Sequence, residues 1–499
     1  MRKFALSFII TASFWLQPDH LFAQSVNVRE STVLADYLYE IFKPVNGTTV
    51  SIFYDRAFEY YMEQPFVTGY DNNMKEVYSH PIEELKKRKY LGAIEFNNKI
   101  QVFCANKKEI YAYPFNPATG KGEAQPAPVF TASKKPEKFY KGFSPDSSSS
   151  FVATRLKANQ QVFEGVIMDN KFNTRTKFSI QLDRRVPFVK NTTFVLSQNG
   201  SLYMINKISV SPQKDLYKPF LYIVSEVKAD GNVTTTYIDD LPEGRISNIV
   251  WASDSNGLSF TGLLSKTVNE AFQYVISGKF NGSTQKITGI KESPLGTAPF
   301  WSTATGEFLL EMKQRGISAN VDLITHFTLS DGSLLLILQT TEDNGMFFAS
   351  GNYHPLTNTG SIYITKISPN NELTWMQAIP SKQHEQSYPL YSGALPVLKD
   401  GKDLYIFYHD YIQHTSDKPE TTFKDLGLLS SWPSTQLAVF QINENGGIKR
   451  ARINNYTPDD LRFAPRKSYV IFNGTGIFTL YHHRNVGRSK VKLAQFSIN

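Results

Sequence analysis

Apolar and polar residues alternate along this 499-residue chain in short runs, with little helical periodicity. Gly360 to Ile367 (Gly-Ser-Ile-Tyr-Ile-Thr-Lys-Ile) has the period of two expected of a strand with one face buried. It reaches a turn at Asn370-Asn371 and resumes at Glu372 to Trp375. Two sets of turn signals punctuate such runs. The first comprises Ser144-Pro145-Asp146, Asn199-Gly200, Asp254 to Gly257, Asp331-Gly332, Asp400-Gly401 and Asn473-Gly474, with Asn97-Asn98 as a weaker example. The second comprises Asn116 to Gly120, Asp169-Asn170, Asp230-Gly231, Asn281-Gly282, Asn370-Asn371 and Asn445-Gly446. Asn-Gly and Asp-Gly supply the positive φ angles of tight hairpin turns. The two sets alternate, so the recurring unit is strand, tight turn, strand, variable loop, strand, tight turn, strand.

First turns define units beginning near residues 91, 141, 192, 247, 323, 393 and 464. Repetition of a four-stranded antiparallel unit predicts an all-β protein, a seven-bladed β-propeller over residues 60–499; six or eight blades would also accommodate the count. The last unit, 470–481 and 491–498, stops one strand early, whereas 60–67 and 75–82 form a surplus pair around Asp71-Asn72-Asn73. A ring must close, so N-terminal strands are expected to complete the last blade and cover its edge. Residues 24–59 stay open: Thr32 to Phe42 has rough helical spacing, yet Tyr37 to Phe42 reads equally well as a strand.

Phe143-Ser144-Pro145-Asp146 followed by Phe151-Val152-Ala153 resembles the strand–turn–strand of TolB-like and WD40-like propeller repeats. Gly360 to Trp375 resembles repeats of large exported bacterial propellers. Each resemblance covers about one blade and implies architecture without activity, because propellers host many functions.

Composition agrees with this picture. The 36 Phe and 26 Tyr suit pleated, half-buried surfaces. Arg2 and Lys3 precede an apolar run from Phe4 to Leu16, and Ala23 offers a small residue for cleavage, so residues 1–23 are expected to be a signal peptide. No other stretch approaches the ~20 apolar residues of a membrane span. Cys104 is the single cysteine, which permits no internal disulfide and fits a bacterial periplasm or outer surface. The formal net charge of +8 is mild and spread out, and no nucleic-acid-binding motif accompanies it.

In a four-stranded blade the first and second tight turns share one face. The middle loops and blade-to-blade connections share the other. Inserted length falls in two middle loops, roughly 341–360 and 410–434, on that second face. There, Tyr408-His409-Asp410 and Tyr481-His482 stand at equivalent positions of neighbouring units, eight residues beyond Gly401 and Gly474. With His414, His483 and Arg484 they form a candidate polar clamp, and His and Asp side chains would also suit a metal. Ordinary histidines satisfying backbone groups are the competing explanation. Lys86-Lys87-Arg88-Lys89 and Lys134, Lys135, Lys138 and Lys141 fall in connections on the same face.

Catalytic signatures are sparse. The chain has no Gly-x-Ser-x-Gly elbow and no Walker loop; His384-Glu385 lacks a second zinc ligand because Tyr388 takes its place. No cofactor is assigned. The expectation is an exported binding or scaffold propeller that recognises a protein, glycan or cell-envelope component. Alternatives are a glycoside hydrolase or polysaccharide lyase working at the channel mouth, and a metal-dependent or redox role.

Overall fold

A computed structural model gives the fold of the chain. It describes residues 25–498 except 35–36, 46, 55–64, 86–87, 97–98, 124–126, 157–158, 184–187, 210–220, 239–240, 243, 255–256, 267–270, 298–315, 319, 350–351, 382, 387–392, 412–434, 455–460, 464, 466–467, 473 and 483–490. The expected signal peptide lies outside the described residues.

Eight sheets follow one another, antiparallel throughout except for one short parallel pairing in the last. Blade 1 comprises Tyr37–Val45, Thr48–Tyr54, Pro65–Tyr70 and Glu76–Pro81; blade 2 comprises Lys89–Phe96, Lys99–Asn106, Glu109–Asn116 and Ala127–Thr131. Blade 3 is Pro136–Phe143, Ser149–Leu156, Asn159–Asp169 and Thr174–Gln181; blade 4 is Phe188–Leu196, Leu202–Ser209, Leu221–Val227 and Val233–Ile238. Blade 5 is Arg245–Asp254, Gly257–Ser265, Tyr274–Asn281 and Lys286–Pro294; blade 6 is Val321–Thr328, Leu334–Ala349, Asn352–Ile367 and Leu373–Ile379. Blade 7 is Ala394–Lys399, Asp403–Tyr411, Thr435–Ile442 and Ile448–Arg450. Within each blade the strands are called A to D in chain order. The A strands neighbour one another around the ring, and that of blade 8 (Tyr469–Phe472) meets that of blade 1. This is a closed eight-bladed propeller.

The count is therefore eight where the turn pattern predicts seven. The additional blade is blade 1, whose first two strands meet at Val45 and Thr48 across a turn containing Gly47; in sequence Asn46-Gly47 is a dipeptide of the same kind as the others. Gly47 has φ +80°, the left-handed region that favours glycine. The surplus strands near 60–82 thus belong to a blade of their own.

The ring closes through a different N-terminal strand. In blade 8, Thr475–His482 and Val491–Ile498 pair with each other, and Ser25–Leu34 supplies the fourth strand, aligning Val26 with Ile498 and Val28 with Phe496, with the short Arg452–Asn454 paired in parallel outside it. Val26 and Val28 are buried in a cluster with Val397, Phe407, Phe463 and Phe496, which joins blade 7 to blade 8.

Burial explains the strand patterns. Ser149–Leu156 is buried almost continuously because neighbouring sheets cover both of its faces, whereas the outer Thr174–Gln181 alternates exposed and buried. The core is a series of clusters between adjacent blades. One packs Phe151 and Phe163 of blade 3 against Leu202 and Met204 of blade 4.

Polar clasps repeat around the rim. A side chain on the D strand of one blade donates to a backbone carbonyl in the C–D turn of the next. Tyr78 Oη reaches Pro117 O at 2.6 Å, Thr176 Oγ1 reaches Ala229 O at 2.8 Å, and Lys291 Nζ reaches Asn370 O at 2.7 Å. Trp375 Nε1 reaches Glu444 O at 3.0 Å, and Gln377 Nε2 reaches Gly446 O at 2.5 Å. Carbonyls in the turns, those of the buried Pro117 and Gly446 among them, thereby gain partners, and neighbouring blades are fixed in register. Among the described residues, no helix is long and apolar enough to cross a membrane.

Candidate binding site at the channel mouth

The A strand lies at the inner edge of each sheet and faces the central channel. In blades 1 to 6 this strand is irregular near its start. Register shifts against the B strand fall at Leu38/Glu40, Tyr90/Gly92, Pro136/Lys138, Val189/Asn191, Ser247/Val250 and Leu323/Thr325. A bulge bends its strand and re-aims the side chains beside it. Because the A strand starts at the blade-to-blade connection, these bulges all lie at one end of the channel. It is the end carrying the connections and the B–C segments.

Two cavities open there. One, of about 630 Å³, is lined by Asn191 and Thr193 of blade 4, Ser247 and Trp251 of blade 5, and Asp322 and His326 of blade 6, with Lys207 from the second strand of blade 4. The other, of about 490 Å³, continues toward blades 7 and 8 past Leu323, Phe327, Thr341, Leu395, Pro396 and Pro465. Asp322 and Leu323 line both cavities and mark their junction. The two differ in chemistry. The first is lined by the Lys207 ammonium, the Asp322 carboxylate, the His326 imidazole and the Asn191 amide, with the largely buried Trp251 at its wall. The second is mainly aliphatic and proline-lined, with Thr325, Gln339, Thr341 and Ser468 as its neutral polar members. His326 reaches water in the first cavity, but the protein around it withholds hydration and pushes its imidazole pKa down, favouring the neutral ring.

Opposite the cavities, the channel wall is closed by side chains. The Glu40 carboxylate of blade 1 accepts from Ala93 N–H of blade 2 at 3.0 Å and pairs with Lys141 Nζ of blade 3 at 2.7 Å; Lys141 also donates to Ala93 O. The inner backbone edge of blade 2 is thus capped from both sides.

The histidine cluster expected from sequence has a structural setting. Tyr408 is buried and stacks on Phe440. His409 is 2% exposed; its Nε2 lies 2.8 Å from Phe463 O, and its own carbonyl accepts from Gln383 Nε2 at 2.9 Å. Asp410 accepts from Arg450 Nη2 at 2.7 Å, with the guanidinium over the Phe440 ring. These contacts join blades 6, 7 and 8. Tyr481 and His482 lie at the end of the matching strand of blade 8, with His482 paired to Leu461. His414, His483 and Arg484 lie outside the described residues. Among the described residues, no group of three or more His, Cys, Asp or Glu could hold a metal ion.

The expected loop at 341–360 is built differently. The middle strands of blade 6 continue as Leu334–Ala349 and Asn352–Ile367, a hairpin twice the length of most strands here. Gln383–Gln386 pairs with its Leu356 to Thr359 segment. Eight further strand residues at about 3.3 Å each carry the hairpin on the order of 25 Å beyond the blade on the cavity-bearing face. Most of the second predicted loop, 412–434, lies outside the described residues. Of the lysine groups, Lys141 joins the channel wall described above and Lys138 lies over the Tyr140 ring. Arg88 covers Tyr111, while Lys86 and Lys87 lie outside the described residues.

No family model matches the chain, and no curated protein matches it. Solved structures resemble it at low identity. The β-propeller domain of the trilobed protease from Pyrococcus furiosus is 10% identical, with TM-score 0.34, covering 69% of this chain and 93% of that one. A prolyl endopeptidase is 8% identical with TM-score 0.41, covering 90% of this chain and 55% of that one. A GH43 β-1,3-galactosidase is 10% identical with TM-score 0.27, covering 62% of this chain and 96% of that one.

Proposed function

We propose that this propeller is an exported binding module that recognises a protein, glycan or cell-envelope component at the bulged mouth of its channel. The observation that carries the reading is the pair of adjoining cavities over blades 4 to 8, on the face that also bears the long blade 6 hairpin. Rigid strands with long segments above them suit recognition, because the scaffold fixes the lining residues before a ligand arrives. Export rests on the basic and apolar N-terminal residues, Arg2-Lys3 and Phe4 to Leu16.

Glycoside hydrolysis is the second reading, and the cavity lining disfavours it. Hydrolases of that kind pair two carboxyl groups across the scissile bond. Asp322 is the one carboxylate among the described residues lining the two cavities.

The test is a pull-down from cell-envelope extracts with three immobilised proteins. They are the wild type, Thr193→Trp/Thr341→Trp, which fills both cavities from positions that are not core, and a chain whose residues 342–358 are replaced by a two-residue turn. The reading expects a partner held by the wild type and lost from the cavity-filled protein. Identical partners on all three would refute it, and turnover of a polysaccharide by the wild type would favour the enzyme.

A further inference from the structure

Resting on that reading, the chemistry of the two cavities narrows the ligand. We propose that the channel mouth binds an extended peptide, with a polar side chain in the blade 4–6 cavity and an aliphatic side chain in the blade 6–8 cavity.

Three observations converge on this class. The first is the contrast in lining. Asn191, Lys207 and His326 line only the first cavity, whereas Phe327, Leu395 and Pro396 line only the second, with Asp322 and Leu323 common to both. A homopolymeric glycan presents the same hydroxyls to successive subsites and would leave the second cavity poorly matched. A peptide can place unlike side chains a few residues apart. Burying one aliphatic side chain against Phe327, Leu395 and Pro396 in the second cavity is worth about 1.5–3 kcal/mol.

The second is the backbone. The first cavity runs along the first strands of blades 4, 5 and 6 and the second along those of blades 6 and 7, and each of these is the edge strand of its sheet. Edge strands present N–H and C=O groups in the spacing that an extended main chain recognises, the basis of strand addition by peptides. In blade 2 the corresponding edge is already occupied, because Glu40 and Lys141 bond the N–H and C=O of Ala93. The protein thus caps its inner edge with side chains away from the cavities and turns it toward a cavity in blades 4 to 6.

The third is spacing. Adjacent sheets pack on the order of 10 Å apart, which an extended chain spans in about three residues at about 3.3 Å each. The two side chains should therefore stand about three positions apart.

The experiment screens a positional-scanning hexapeptide library against the wild type, Thr193→Trp and Thr341→Trp, with labelled cellotriose and chitotriose measured in parallel. The expected result is selection of Leu, Ile or Val at one position and of Asn, Gln, Ser or Thr about three positions away. Thr341→Trp should abolish the aliphatic preference alone, and Thr193→Trp the polar preference alone, each weakening the best peptide at least about tenfold. Absence of any positional preference, or preferences unaffected by both variants, overturns the inference. Binding of a trisaccharide that Thr193→Trp abolishes overturns the peptide assignment while sustaining the channel mouth as the binding face. Should no probe bind, the peptide inference fails, and the envelope pull-down decides separately whether that face binds a partner.

Discussion

Removing the Asp410 carboxylate tests whether the Tyr408-His409-Asp410 run holds the ring together or waits for a ligand. Asp410 and Arg450 lie 2.7 Å apart, with side chains 10% and 14% exposed. Asp410→Ala takes the carboxylate away from a guanidinium that is largely out of water. Breaking a buried ion pair from one side costs about 3–5 kcal/mol. Here the Phe440 ring under Arg450 still offsets part of the loss, at 4.8 Å from the guanidinium carbon. Exposure of the pair also admits some water, so the expected destabilisation is about 2–3 kcal/mol. Asp410→Asn keeps an acceptor in the same place and should cost about half as much. Urea unfolding followed by tryptophan fluorescence reads the difference as a lower midpoint at constant slope. In the double variant Asp410→Leu/Arg450→Met, apolar contact should replace the pair and return most of the loss. A change below about 0.5 kcal/mol for Asp410→Ala would refute the structural role and return these residues to candidacy as a binding cluster.

Ring closure predicts that Val26→Ala costs about 2–3 kcal/mol in urea unfolding, because Val26 is fully buried beside Ile498, whereas Val77→Ala at 56% exposure stays within about 0.5 kcal/mol. Equal effects would contradict closure by residues 25–34. The Asp331 carboxylate accepts from Ser333 N–H and pairs with Lys366, and its pKa is lowered, chiefly by the backbone bond. Its stabilising effect is therefore complete above the unfolded aspartate pKa of about 3.9 and is lost as pH falls through the lower folded value. The stability gap between wild type and Asp331→Asn should accordingly narrow from pH 6 to pH 3; parallel profiles would refute the linkage. Burial pushes the Cys104 thiol up to about 11, so a disulfide reagent at pH 8 should leave it unmodified until denaturant is added. Fast native labelling would contradict its packing against blade 1.

Much of this architecture could be read along the chain, because each blade is a local unit whose turns carry their own chemistry. The turns at Asn199-Gly200, Asp331-Gly332 and Asp400-Gly401 each join the first two strands of a blade as their residues demand. Blade 1 escaped because its turn follows a proline, Pro44-Val45-Asn46-Gly47, and its first strand has apolar residues at a spacing that also suits a helix. The blade 6 hairpin was obscured by Thr341-Glu342-Asp343-Asn344-Gly345, a polar run that reads as loop although Thr341 to Asp343 pair with the facing strand and pairing resumes at Met346.

The cavities were hidden for a different reason. Asn191, Trp251 and Asp322 come from three blades, and only closure of the ring brings them together. One signal did exist. Asn191 and Thr193 are polar residues two positions apart on a first strand and so share one of its faces, whereas Asp322 and His326 lie on either side of the Leu323/Thr325 register shift, which hides their convergence from sequence spacing. The histidines near the strand ends drew attention by residue type. Packing accounts for His409, which serves the seam between blades 7 and 8.

The binding face itself can be tested with a photo-crosslinking residue placed at either of two exposed positions. Asn191 stands in the channel mouth, and Phe143, 53% exposed, precedes the A–B turn of blade 3 on the opposite face. Irradiation in cell-envelope extract should give a discrete adduct from position 191 and none from position 143. An adduct from position 143 with none from 191 would contradict recognition at the channel mouth.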